Sequence, residues 1–136
     1  MADITRTKEK ISVVYPHKAK IDNGIAAAAL EAGQPVYIDS NRKYNKADSN
    51  TTAADQFRGI ALETVGAGMP VSILVEGELT GYTLTGAYDS ALYVSDTAGE
   101  LADAAGTTSL QVGRIVGLPR SNGTMTKILK VTGWAG

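Results

Sequence analysis

The chain reads as an all-β protein, a small β-sandwich or barrel with a flexible N-terminal arm and room for one short helix. Three observations predict this. Short β-rich runs recur every 10–20 residues, separated by turn residues. The 136 residues include 15 glycines, and Gly, Thr, Ser, Ala and Val dominate over the Leu, Lys and Glu of a helical bundle. The length suits one domain with its own core, which needs no disulfide or metal staple.

Residues 1–10 show no apolar period and read as an arm. Ile11 to Tyr15 is a short β-rich run stopped by Pro16. Ile21 to Ala32 is ambiguous. Its alanine run with Leu30 favours a helix that Asp22 or Asn23 caps and Gly33 ends, and a surface loop with one helical turn fits equally well. Val36-Tyr37-Ile38 is the next strand, followed by the polar stretch Asp39–Asn50. Phe57 to Glu63 comes next, and Gly66-Ala67-Gly68 turns the chain. Val71 to Val75 is the strongest strand signal, continuous enough for burial on both faces. Leu79–Leu84, Ala91–Val94, Leu110–Leu118 and Thr126–Val131 complete the set, with Asn122-Gly123 as a hairpin turn before the last.

A faint internal repeat runs through these strands. Val36-Tyr37-Ile38 matches Leu92-Tyr93-Val94 at an offset of 56. Gln56-Phe57 and Ile60-Ala61 match Gln111-Val112 and Ile115-Val116 at 55, and Val75 and Gly77 match Val131 and Gly133 at 56. The expected organisation is an arm over 1–20 and one β domain over 21–136, with similar halves near 33–84 and 89–136. Two units are too few for a solenoid.

Charge is unevenly spread along the chain. Residues 1–20 carry a net +3 and residues 55–104 a net −7, within an overall −1. The bland reading is a solvated tail and a solvated face; the sharper one is an arm that docks on an acidic neighbour. Arg6, Lys8, Lys10, Ile11, Val13 and Tyr15 are therefore the candidate contact residues. Bulk attraction to nucleic acid is not expected at this net charge, and Arg42-Lys43-Tyr44 with Lys46 is the one weak basic–aromatic cluster. The N-terminus lacks the apolar run of a signal peptide, and no stretch is long and apolar enough for a membrane span, so no membrane partner is expected.

Chemistry finds little support. There is no cysteine, so thiolate sites and cysteine nucleophiles are excluded. The one histidine, His17, sits beside Pro16 and Lys18 outside the regular strands, a poor place for a general base. No G-x-S-x-G elbow occurs. Glu76 and Glu78 share a strand face, but they read as an acidic surface rather than a glycosidase pair. Asp39-Ser40-Asn41 begins like a calcium loop, yet Tyr44 stands where that loop requires glycine, leaving only a loose ion site on Asp39, Asp48 or Asp55. Gly66-Ala67-Gly68 lacks the lysine and helix of a phosphate loop. Sugar platforms would rest on Tyr82, Tyr88 and Tyr93, with Trp134 the single tryptophan. The reading is a non-enzyme without catalytic residues, cofactor or metal.

The order of segments Gly33–Asp39, Gly59–Glu63, Val71–Glu78, Ala91–Leu101 and Val112–Gly117 resembles the capsid cement, or head decoration, proteins of tailed bacteriophages. The phrase LYVSDTAGEL followed by VGRIVG carries most of the likeness, which spans about residues 33–133. The resemblance implies a structural virion protein on the outer capsid surface, made in the host cytoplasm. It implies a homotrimer at three-fold positions that binds the major capsid protein and bridges neighbouring subunits. The alternatives are a tail or fibre module and a carbohydrate-binding module.

Overall fold

A computed structural model describes residues 3–50, 56–119, 123 and 125–132. Asp55, Asn122, Gly133 and Trp134, which the sequence singles out, lie outside these residues. The fold is all-β, as expected: one antiparallel sheet curled into a half-barrel. Its strands are β1 (Ser12–Val14), β2 (Lys20–Ile25), β3 (Pro35–Ile38), β4 (Tyr44–Lys46), β5 (Gly59–Ala61), β6 (Pro70–Thr80), β7 (Ala91–Val94), β8 (Leu101–Ala102), β9 (Gln111–Pro119) and β10 (Met125–Val131). Helical structure among the described residues is limited to two 3-10 turns, Lys8–Lys10 and Pro16–Lys18.

Strand β6 organises the sheet. Its first half pairs with β2 on one edge and β5 on the other, and its second half with β1 and β10. The runs Val71–Val75 and Leu79–Leu84 are therefore not two strands. The first and the start of the second form one long strand that runs on through Gly77 (φ 147), and the chain leaves the sheet at Gly81. The expectation of burial on both faces holds for a physical reason. Successive side chains point to opposite faces. Leu74 enters a larger core with Ile60, Leu79, Leu92, Val94, Leu101, Val112, Ile115, Leu129 and Val131. Ile73 enters a smaller one with Ala26, Leu30, Val36, Tyr44, Ala61 and Val71.

The helix considered over 21–32 does not form. Lys20–Ile25 is strand β2, paired with β6 from Glu76 to Pro70, and residues 26–34 follow without regular structure. Helix propensity differs by only a few tenths of a kcal/mol per residue. Against that stands a ladder along β6. The Tyr44 ring lies over Gly24, and the Tyr44 hydroxyl donates to the Asp22 carboxylate at 2.6 Å. Ala26 and Leu30 are then buried in the smaller core rather than placed on a helix face.

The strand order β4-β3-β5-β6-β10-β9-β7-β8 reads the same from both ends when β3, β4, β5 and β6 are matched with β7, β8, β9 and β10. The pairs Ile60–Leu74 and Ala61–Ile73 of the β5–β6 ladder recur 55 residues later as Ile115–Leu129 and Val116–Ile128. Left-handed backbone recurs too, at Gly33 and Asp89, Arg42 and Gly99, and Gly68 and Gly123. In the turn after β3, the Asp39 carboxylate accepts from the Asn41 N–H. In the turn after β7, the Ser95 hydroxyl accepts from the Thr97 N–H. The two halves differ in β3 and β7. Val36 faces the smaller core, whereas Leu92 and Val94 face the larger one, and the β7–β9 pairing slips between Leu92 and Tyr93.

Candidate binding surface

The first twenty residues, expected to stand off as a flexible arm, lie along the body from Asp3 onward. The reason is their apolar content: Ile4, Ile11 and Val13 are half-buried against the larger core. Backbone hydrogen bonds fix the path. The Ile4 N–H donates to the Leu101 carbonyl at 2.7 Å, the Thr7 N–H to Gly81 at 2.8 Å, and the Thr83 N–H to Thr5 at 2.9 Å. Strand β1 then pairs with β6, Ser12 opposite Thr80 and Val14 opposite Glu78. Gly81 makes this approach possible. Its φ is 108°, and a Cβ there would meet Ile11 Cδ1 at 2.6 Å.

Arg6 pins the segment. Its side chain is only 10 % exposed. One guanidinium nitrogen donates to Glu31 Oε1 at 2.8 Å, and the other donates to the Glu100 carboxylate. The hydrogen bond from Arg6 holds the Glu31 carboxyl below its usual pKa, helped by the charges of Lys8 and Arg6 against the opposing effect of burial. Lys8 adds an ion pair to Glu31 at 3.5 Å. Alongside, the Tyr82 hydroxyl donates to the Gly33 carbonyl at 2.7 Å, and burial pushes the Tyr82 phenol well above its usual pKa. Loop 31–33, the β7–β8 turn and the N-terminal segment are thus tied at one place.

The six candidate contact residues fall into two groups. Arg6, Ile11 and Val13 turn inward, while Lys8, Lys10 and Tyr15 remain at the surface. The charge asymmetry read from the sequence is partly satisfied within one chain, because Arg6, Lys8 and Lys20 each find a carboxylate of the body, Lys20 with Glu76 at 3.4 Å. Lys10 and Lys18 have no carboxylate partner among the described residues. Beyond β1 the chain makes a knob. Tyr15 is 40 % exposed and left-handed (φ 55, ψ 65), the His17 ring stands edge-on 6.3 Å away, and the Lys18 ammonium sits 5.4 Å from the Tyr15 ring centre.

Of the carboxylates considered for an ion, Asp55 lies outside the described residues, and Asp39 and Asp48 are engaged in their own turns. Asp39 accepts from the Asn41 and Lys43 N–H groups, and Asp48 from the Asn50 N–H. No group of three metal-ligating side chains occurs among the described residues. A polar network the sequence did not single out joins three loops: Ser49 Oγ donates to Asp96 at 2.6 Å, and the Thr107 N–H to the same carboxylate at 2.8 Å. These bonds, Ser49's first, lower the Asp96 pKa.

The large exposed side chains of Ile25, Met69 and Met125 were also missed, and Tyr88 was read only as a sugar platform. Ile25 lies opposite Pro70, beside Met69, which is 53 % exposed; Met125, 54 % exposed, and Tyr88 flank Gly117. Strand patterning marks both methionines only as flanking residues, and their 56-residue separation within the repeat was the signal available. No family model matches the sequence, and no curated protein matches it either.

Proposed function

We propose that this protein is a structural virion component, a capsid cement protein that binds the outer surface of an assembled phage head and bridges neighbouring capsid subunits. The observation that carries the reading is the placement of its exposed apolar residues. Met69 immediately precedes β6 and Met125 begins β10, two antiparallel strands that pair over Gly77–Leu79 and Leu129–Val131. Their starts therefore lie on opposite sides of that short pairing, Met69 before Gly77 on β6 and Met125 before Leu129 on β10. A rigid sheet with an apolar contact point on each side of that pairing suits a bridge between two subunits better than a cleft for a small molecule. Contiguous exposed apolar surface marks protein contacts, and here Ile25 lies beside Met69 while Tyr88 and Met125 both flank Gly117.

The energetics suit the role. A protein that binds only the assembled shell stabilises it at every site by mass action. A homotrimer at a three-fold position multiplies weak contacts into a firm one. The resemblance of Ala91–Leu101 and Val112–Gly117 to cement proteins supports the same reading, and those residues form the β7–β8 hairpin and most of β9. The test is to mix purified protein with undecorated heads and image them by electron cryo-microscopy. Discrete density at three-fold positions is expected; bare shells across a panel of tailed-phage heads would overturn the proposal.

A further inference from the structure

The N-terminal segment and its seat come from distant parts of the chain. Residues 3–14 contact loop 31–33, residues 78–83 and the β7–β8 hairpin, and one short connection, residues 15–19, leads from them to β2. That connection is strained. Tyr15 holds a left-handed backbone (φ 55, ψ 65) immediately before Pro16. A side-chain-bearing residue rarely adopts this region, and a residue before proline is driven toward extended conformations. Straightening Tyr15 relieves the strain and points residues 3–14 away from their own seat. Five extended residues then span roughly 17 Å.

We propose that residues 3–14 exchange between copies of this chain, each copy's segment occupying its neighbour's seat. Charge complementarity fits this segment, from either copy, to the seat. The seat presents Glu31 and Glu100, and the segment carries Arg6, Lys8 and Lys10. Every contact of residues 3–14 with the seat is reproduced in the exchanged form, while the hinge gives up its 3-10 turn and the Lys18–Tyr15 contact as the backbone of Tyr15 relaxes. Exchange of this kind is a low-cost route to an oligomer, and a head-to-tail exchange closes into a ring where the rotation between copies permits. The inference needs self-association only, so it stands or falls apart from capsid binding.

The chain has no cysteine, so engineered pairs report cleanly. Ser12 lies opposite Thr80 in the β1–β6 ladder. Such pairs have Cα atoms about 4.5–5.5 Å apart, within reach of a disulfide. The Ser12→Cys/Thr80→Cys variant is oxidised over a concentration series and run on a denaturing, non-reducing gel. Exchange gives covalent multimers whose fraction rises with concentration. Adding Tyr15→Gly removes the left-handed penalty from the closed form and is expected to cut that fraction about ten-fold. Monomers alone, whether because the protein never self-associates or because its oligomers carry only internal disulfides, would overturn the proposal. So would multimers indifferent to Tyr15→Gly.

Discussion

Leu74 and Leu129 occupy matching places in the two halves, opposite Ile60 and Ile115, and both are fully buried in the larger core. Truncating either to alanine removes three carbons, about 2.4 kcal/mol at ~0.8 kcal/mol per buried methylene. The cavity left behind raises the expected cost to about 3–4 kcal/mol. With a urea m-value of roughly 1.5–2 kcal/mol/M, the midpoint falls by about 2 M. The assay is urea unfolding followed in parallel by far-UV circular dichroism and tyrosine fluorescence. Because one core draws side chains from both halves, Leu74→Ala and Leu129→Ala should shift a single transition by similar amounts. If Leu129→Ala split the curve, leaving part of the signal at the parent midpoint, the halves would be separate folding units and the shared-core argument would fail.

Four further expectations follow from the N-terminal seat and the strand ends. Arg6→Ala should cost about 1–2 kcal/mol, since its carboxylate partners stay solvated when it is lost, and hydrogen exchange should quicken at the Thr7 and Thr83 amides. The Glu31 pKa is lowered on folding, so its contribution is complete above the ordinary carboxylate pKa and is lost as pH falls through the lower folded value; protease cutting within residues 3–14 should rise on acidification. Gly81→Val combines a forbidden φ with a collision against Ile11 and should cost more than about 2 kcal/mol in thermal unfolding. Met69→Asp and Met125→Asp should each leave stability within about 0.5 kcal/mol yet reduce occupancy of phage heads, scored by co-sedimentation.

Much of the sheet was legible because its strands carry their own evidence. Val36–Ile38, Ala91–Val94 and Leu110–Leu118 alternate or run apolar as strands do, and the turns between them contain glycine at left-handed positions such as Gly68 and Gly99. The failures share a cause. Lys20–Ile25 is flanked by alanines with helix propensity, and only its long-range partner β6 makes it a strand. Leu79–Leu84 looked separate because Glu76-Gly77-Glu78 interrupts the apolar run, whereas one continuous strand runs through Gly77 as far as Thr80. Neither outcome is encoded locally; each depends on which neighbour the backbone meets.

The N-terminal segment shows why charge totals mislead. A net +3 followed by a net −7 says that attraction exists, but not between which molecules. Intrachain docking has the advantage of proximity, and the side chains that complete it are apolar: Ile11 against Gly81, and Val13 opposite Leu79. A segment meant only to be solvated would not place Arg6 between two carboxylates with its side chain almost wholly covered. The built seat and the strained Tyr15 beside it pull in opposite directions. The seat favours residues 3–14 staying docked, and the hinge favours a docked segment whose connection is straight. The proposed exchange with a second copy would satisfy both, which makes the disulfide test on Ser12 and Thr80 informative about any assembly as well as about the segment.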